Sequence, residues 1–233
     1  MPESSPDEIP VAFADPQYRA AVVDLLAVIT YGEISAFERL AEDSKLAPTL
    51  EDKLALASMA STELGHVDRL IERLIQLGVE PFEAMAPFRT AIDEFHRHTP
   101  PADWLEGLIK AYVGDGLAAD FYREIAAFVD TDTRDLIIAS LEDAGHSAFV
   151  VDRVKRAIEV DHRVGGRLAL WGRRLMGEAL SQAQRVAADR DALSALLAGG
   201  VDRPGMDLAA LGRMFTRLTE QHAQRMAELG LDS

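Results

Sequence analysis

The chain contains no cysteine. That excludes disulfides, thiolate metal sites and cysteine nucleophiles together, so a bound metal has to be held by carboxylate, imidazole or water oxygen. Aromatic residues are scarce at 6%. No apolar run approaches the roughly 20 residues that a helix needs to span a bilayer. The opening segment, MPESSPDEIP, is acidic and proline-bearing, and it lacks the basic stretch and apolar core of a secretory leader. These absences give the expectation of a cytoplasmic protein that makes no membrane contact. Positive charge is also short: 24 Lys and Arg against 39 Asp and Glu leave a formal net charge of −15. Such a balance repels phosphate backbones and argues against broad nucleic-acid binding. Extended alternation of β-branched and polar residues is missing, and so are a phosphate loop, a dinucleotide fingerprint and a defensible Ser-His-Asp pattern.

What is present is helical periodicity. With 233 residues, 48% hydrophobic and 27% charged, the chain suits one large globular domain with a substantial core. Residues 1–15 read as a flexible lead-in, and residues 16–233 as one all-α domain. Its core bundle spans 16–162 and two appended helices occupy 163–233. The first helix should run from Pro16 to Asp43, with the stripe Leu26, Ile29, Glu33, Phe37, Leu40. Thr49, followed by Glu51 and Asp52, caps a second helix that Gly78 stops. A longer connection with a short helix inside leads to Pro100 and Pro101, which are expected to open a third helix reaching Val129. Its stripe is Leu108, Tyr112, Asp115, Ala119, Tyr122, Ala126. Asp130 and Thr131 cap a fourth, with the stripe Leu136, Ala139, Asp143, His146, Val150, Val154. The appended helices are expected over Val164–Leu197 and Asp207–Leu229, separated by a Gly- and Pro-rich loop.

Charge is uneven along the chain. From Arg153 to Arg185, eight basic and three acidic residues give 8 − 3 = +5. This is read first as a solvated face balancing acidic neighbours, with a docking surface for an anionic partner as the alternative.

Each of the first four helices carries a carboxylate on its apolar stripe. A bare carboxylate facing a bundle core must be paired, protonated or bound to a cation. The second and fourth helices add histidine: Glu63-Leu64-Gly65-His66 is a Glu-x-x-His unit, and Asp143-Ala144-Gly145-His146 is its aspartate counterpart. Residues three apart share a helix face, so carboxylate and imidazole can reach one metal ion, or two positions of a metal pair. The halves also repeat. Tyr31-Gly32-Glu33 lies beside Val113-Gly114-Asp115, and ASTELGH, ending at His66, beside SLEDAGH, ending at His146. The offsets are 115 − 33 = 82 and 146 − 66 = 80. An internal two-fold would bring Glu33, Glu63, His66, Asp115, Asp143 and His146 together on the bundle axis.

The order carboxylate, carboxylate-x-x-His, carboxylate, carboxylate-x-x-His resembles the ferritin-like di-iron carboxylate superfamily. Within it the chain looks most like the tRNA hydroxylases that modify methylthio-isopentenyl-adenosine, in their actinobacterial hydroxylase-like branch. The resemblance covers about residues 20–157. It implies a ferritin-like four-helix bundle with two additional C-terminal helices. It also implies two bound iron ions, with manganese or a mixed pair as alternatives. In that scheme Glu33 and Asp115 would be terminal ligands, Glu63 and Asp143 would bridge, and His66 and His146 would each hold one ion. The implied activity is that of an oxygen-dependent hydroxylase on a small molecule or a modified tRNA, supplied by an unidentified electron donor.

The second half departs from the pattern, with Asp at 115 and 143 where the family has Glu. The arm is shorter by about 1.5 Å against a metal–oxygen bond of about 2.0–2.2 Å. Either the helices sit closer, or the second metal is loosely held, or the site has decayed; Glu142 is an alternative ligand to Asp143. Gly65 and Gly145 either permit close helix approach or have no role. The rival reading is therefore a non-catalytic ferritin-like protein, metal-binding or structural, with a degenerate site and without bound metal in the limit. A homodimer joined through the appended helices is the expected assembly. His96 and His98 read as solvated residues at a helix end, and His162 and His222 as surface residues. Trp104 and Trp171 read as packing anchors. Tyr31, Tyr112 and Tyr122 read first as core residues, with an oxygen-reactive pocket as the alternative.

Overall fold

The computed structural model describes residues 11–141, 146–199 and 205–233, and leaves the side chain of His146 undescribed. Among these residues every regular element is helical. A 3-10 turn, Val11–Ala14, leads into α1 (Pro16–Asp43), and α2 (Leu50–Gln76) returns beside it. The connection holds α3 (Pro81–Met85) and α4 (Arg89–His98), and α5 (Trp104–Ala126) follows. Next come α6 (Thr131–Ser140) and α7 (His146–Val160), on either side of 142–145. α8 (Arg163–Asp189), α9 (Asp191–Ala198) and α10 (Leu208–Glu228) complete the chain.

The helix starts follow from capping. Asp15 accepts from the Gln17 amide at 2.8 Å, and Pro16 occupies a position that has no amide to satisfy. Thr49 accepts from the Asp52 amide at 3.1 Å and donates to the Asp52 carboxylate at 2.7 Å. Gly78, at φ 71°, stops α2 in the left-handed conformation. Two expectations fail on the same physics. Pro100 and Pro101 do not open α5. Asp103 does, accepting from the Glu106 amide at 3.0 Å while Glu106 accepts from the Ala102 amide at 2.8 Å. This reciprocal cap satisfies two orphan donors, which a proline cannot do. The rod expected over Val164–Leu197 divides at Arg190, whose backbone leaves the helical region and whose guanidinium grips Asp24 (Nε to Oδ2, 2.9 Å).

α1 packs on α2, α5 packs on α6 and α7, and contacts of α1 with α5 and of α2 with α6 and α7 close the four-helix bundle. α8 lies across α4 and α5, α10 on α5, and α9 on α1. α1 with the turn after it is apolar and long enough to cross a bilayer by composition alone. Its apolar surface is instead consumed inside the bundle, where Leu25, Leu26 and Ile29 are fully buried.

The core is divided in two. One apolar cluster joins Leu25, Leu26 and Ile29 of α1 to Leu70 and Leu74 of α2, Ile125 of α5 and Ile137 of α6. The other joins Leu40, Leu56, Met59, Leu108, Ile109, Val150, Val154 and Leu175. Phe13 is buried against Tyr18, while Ala14 and Asp15 are exposed and residues 1–10 lie outside the described part. Trp171 is an anchor, as expected, with its indole N–H on the Glu106 carbonyl at 2.9 Å.

His98 and His222 differ from expectation, while His162 is exposed as expected. His222 is 3% exposed rather than on the surface, because α10 folds back onto α5. His98 is half-buried and paired with Glu178 at 2.7 Å. Three of the eight basic residues of the stretch are engaged by acids: Arg153 by Asp52 at 2.6 Å, Arg156 by Asp152 at 2.9 Å, and Arg167 by Asp103 at 2.7 Å and by Glu106.

Leu70 stands in the first cluster with no exposed surface. Leu70→Ala should destabilise the protein by about 3 kcal/mol through lost transfer energy and a residual cavity. For a chain of this size that lowers the thermal midpoint by roughly 6–12 °C. Calorimetry of the variant checks both.

Candidate metal centre

The two apolar clusters leave a layer between them on α1 and α2, and Glu33, Glu63 and His66 fall in it. On α1 the first cluster ends at Ile29 and the second begins at Leu40, with Glu33 between. On α2, Leu56, Met59 and Ala60 belong to one cluster and Leu70 and Leu74 to the other, with Glu63 and His66 between. The three-residue spacing puts Glu63 and His66 on one face.

Glu33, Glu63 and His66 each offer one ligand atom, and these atoms lie within 4.8 Å of one another. His66 Nδ1 stands 3.4 Å from Glu33 Oε2, and the Glu63 carboxyl lies beside both. Glu33 is 8% exposed. Burial pushes its pKa up from 4.5 to about 7; the contact with Glu63 pulls down, and the charge of Asp115 pushes up. Asp115 is held well above the usual carboxylate range, first by burial and then by the charge of Glu63, with Lys110 opposing. Asp115 keeps exposed surface and lines a cavity.

That cavity measures about 670 Å³ and is lined by Glu33, Glu63, His66 and Asp115 together with mainly apolar side chains of α1, α5, α8 and α9. The Tyr122 hydroxyl comes within 3.5 Å of where a Cβ on Gly32 would stand, beside Glu33. Burial, and then the charge of Glu33, push the Tyr122 pKa up, so the phenol stays protonated and can donate. Tyr112 also lines the cavity, with its hydroxyl donating to Glu228 at 2.6 Å, while Tyr31 donates to Asp93 at 2.7 Å.

Of the six residues read from the sequence, three form the tight group and Asp115 couples to it electrostatically from outside it. Asp143, like Glu142 and Gly145, lies outside the described residues, and so does the side chain of His146. A Cβ on Gly65 would meet nothing within 4 Å, so close helix approach is not the reason for that glycine. The stripes missed Lys110 and His96, which also line the cavity. Lys110 carried a signal, a lone cation inside the apolar run Leu108-Ile109-Lys110-Ala111-Tyr112.

Of the five acids buried among the described residues, four are held by arginine: Asp24 by Arg190, Asp52 by Arg153, Glu106 by Arg167, and Asp120 by Arg123 and Arg225. Glu33 is not; its neighbours are an imidazole and two more carboxyls. A cluster of hard oxygen donors with one imidazole, in which the buried Glu33 has no arginine, fits a divalent first-row metal ion.

A family model of the ferritin-like domain of actinomycetes matches residues 16–200. No curated protein matches the chain. Among solved structures, a Synechococcus protein described as having aldehyde deformylating oxidase activity superposes with a TM-score of 0.70 at 20% identity, over 94% of each chain. At that identity the likeness shows the fold.

The raised Glu33 pKa makes metal-free protein sensitive to pH. Its carboxyl takes up a proton more readily folded than unfolded, so the stability it contributes is full below 4.5 and is lost as pH rises through about 7. Chelated wild-type protein should therefore lose stability across that window, and Glu33→Gln should lose less. Urea denaturation at both ends of the window decides it; identical losses in the two proteins contradict the assignment.

Proposed function

Because the chain belongs to the ferritin-like domain family of actinomycetes, we propose that it is an oxygen-dependent, non-haem di-iron oxidoreductase of the hydroxylase-like kind, acting on an apolar small molecule held in the cavity. The observation that carries this is Glu33, a buried carboxylate placed with Glu63 and His66 where its other buried acids have arginine. Iron bound here would supply dioxygen activation and the oxidising power for the substrate.

The remaining roles belong to the chain's own residues. Glu33, Glu63 and His66 would hold one ion. Asp115, with Asp143 and His146, would hold the second, with the shorter aspartate arms making that half weaker. The protonated Tyr122 phenol is a donor available beside Glu33. The apolar walls exclude water, which strengthens each polar interaction in the layer. The described oxidase activity of the Synechococcus neighbour supports an oxidative reaction. A prenylated tRNA base, the substrate implied by sequence resemblance, belongs to the same proposal, but a net charge of −15 weighs against it. A cytoplasmic homodimer is the proposed assembly; Leu170 on α8 and Leu208 and Phe215 on α10 are exposed apolar residues that support it.

One observation favours a second reading, a non-catalytic metal-binding protein: Asp115 stands outside the tight group of Glu33, Glu63 and His66.

Metal analysis after anaerobic iron loading separates the two. The proposal expects about two irons per chain, lost in Glu63→Ala while circular dichroism shows the helices intact. It also expects the reduced protein to consume dioxygen. About one iron with no oxygen uptake supports the second reading, and no retained iron sinks both.

A further inference from the structure

Lys110 is 5% exposed, and no carboxylate oxygen of the described residues comes within 4.0 Å of its ammonium. It donates to the Thr99 carbonyl at 2.8 Å and stands 5.6 Å from the centre of the Phe95 ring. Two of its three N–H groups are thus free of any described hydrogen bond. The other charges around it are Asp43, Asp115 and Glu42, which attract, and Arg39, which repels and is itself engaged by Glu42 at 2.9 Å. A buried cation without a paired anion is costly.

Beside it, His96 Nδ1 is buried with no hydrogen-bond partner. Burial, then the charges of Lys110 and Arg39, push the His96 pKa down to about 3, so the ring is neutral and offers one N–H. Both residues line the cavity.

The cavity is long. Its wall on α1 runs from Leu25 to Asp43, 43 − 25 = 18 residues, or about 27 Å at 1.5 Å per residue. Asp43, Lys110 and His96 mark one end, and Leu25, Leu193 and Leu197 mark the other, which is apolar. Glu33 and Asp115 lie between.

We propose that the cavity takes a single-chain aliphatic carboxylate, with its head on Lys110 and His96 and its tail running past Glu33 and Asp115 toward Leu25, Leu193 and Leu197. With Arg39 engaged by Glu42, one ammonium beside a neutral imidazole can pair with a single negative charge and not with the two of a phosphate monoester. Lys110 precedes Asp115 by five residues, about 7.5 Å along α5. The carboxylate layer therefore meets the interior of the chain, several carbons from its head. This names the substrate class of the proposed oxidoreductase and rests on the cavity being its substrate site.

Calorimetric titration of the full chain with hexadecanoate and with 1-hexadecanol tests it, with iron measured on the same batches. Wild-type protein is expected to bind hexadecanoate more tightly than the alcohol. Lys110→Met should weaken hexadecanoate about 10-fold or more, the loss of a charge-assisted hydrogen bond, and leave the alcohol within about 2-fold. If that variant does not fold, His96→Phe carries the same comparison with a smaller shift. Equal affinity of wild type for the two ligands, or no change on substitution, overturns the inference. Iron retained without that discrimination defeats the inference alone. Discrimination without iron defeats the oxidoreductase reading and leaves the inference standing.

Discussion

The rest of the structure is arranged around a carboxylate that has no arginine. An ionised group in the middle of a helical bundle loses its water, and the loss is tolerable only with a partner of opposite charge, a proton or a metal ion. Elsewhere the chain supplies guanidinium groups, drawn from α7 for Asp52, from α8 for Glu106 and from the α8–α9 junction for Asp24. At Glu33 it supplies Glu63 and His66 instead. Without a cation the layer compensates by holding protons, which is why the pKa values of Glu33 and Asp115 rise. With a divalent ion the same side chains become ligands, and the repulsion among them turns into shared attraction to the metal.

This layer also explains the divided core. Helices that carry a polar residue on the buried stripe cannot pack one continuous apolar seam, so the hydrophobic contacts gather above and below it. The cavity follows from the same division, with the small residues Gly114, Gly116, Ala118 and Ala119 of α5 on its wall. α8 and α9 close what the four bundle helices leave open. The appended helices thus contribute walls to the site rather than only bulk to the fold.

Much of this was legible in the sequence. Asp15 and Pro16 fixed the start of α1, and Thr49 and Gly78 the limits of α2, because caps and left-handed glycines are local interactions between near neighbours. The Glu-x-x-His spacing located Glu63 and His66 for the same reason, and the internal repeat pointed to Glu33. What escaped was set by distant neighbours. The break at Arg190 depends on Asp24, 166 residues away. The burial of His222 depends on α10 returning to α5, and the role of Lys110 depends on α4 placing Phe95 and His96 beside it. Asp103 displaced the prolines from the start of α5 because a reciprocal cap satisfies more donors than a proline can, a comparison that composition alone does not make.

The central claim is that a metal ion holds the mid-bundle carboxylate layer together. Anomalous diffraction at the iron edge, from crystals of iron-loaded protein, addresses it most directly. The account expects a peak about 2.0–2.2 Å from oxygens of Glu33 and Glu63 and from a ring nitrogen of His66. A layer with no anomalous peak would contradict it.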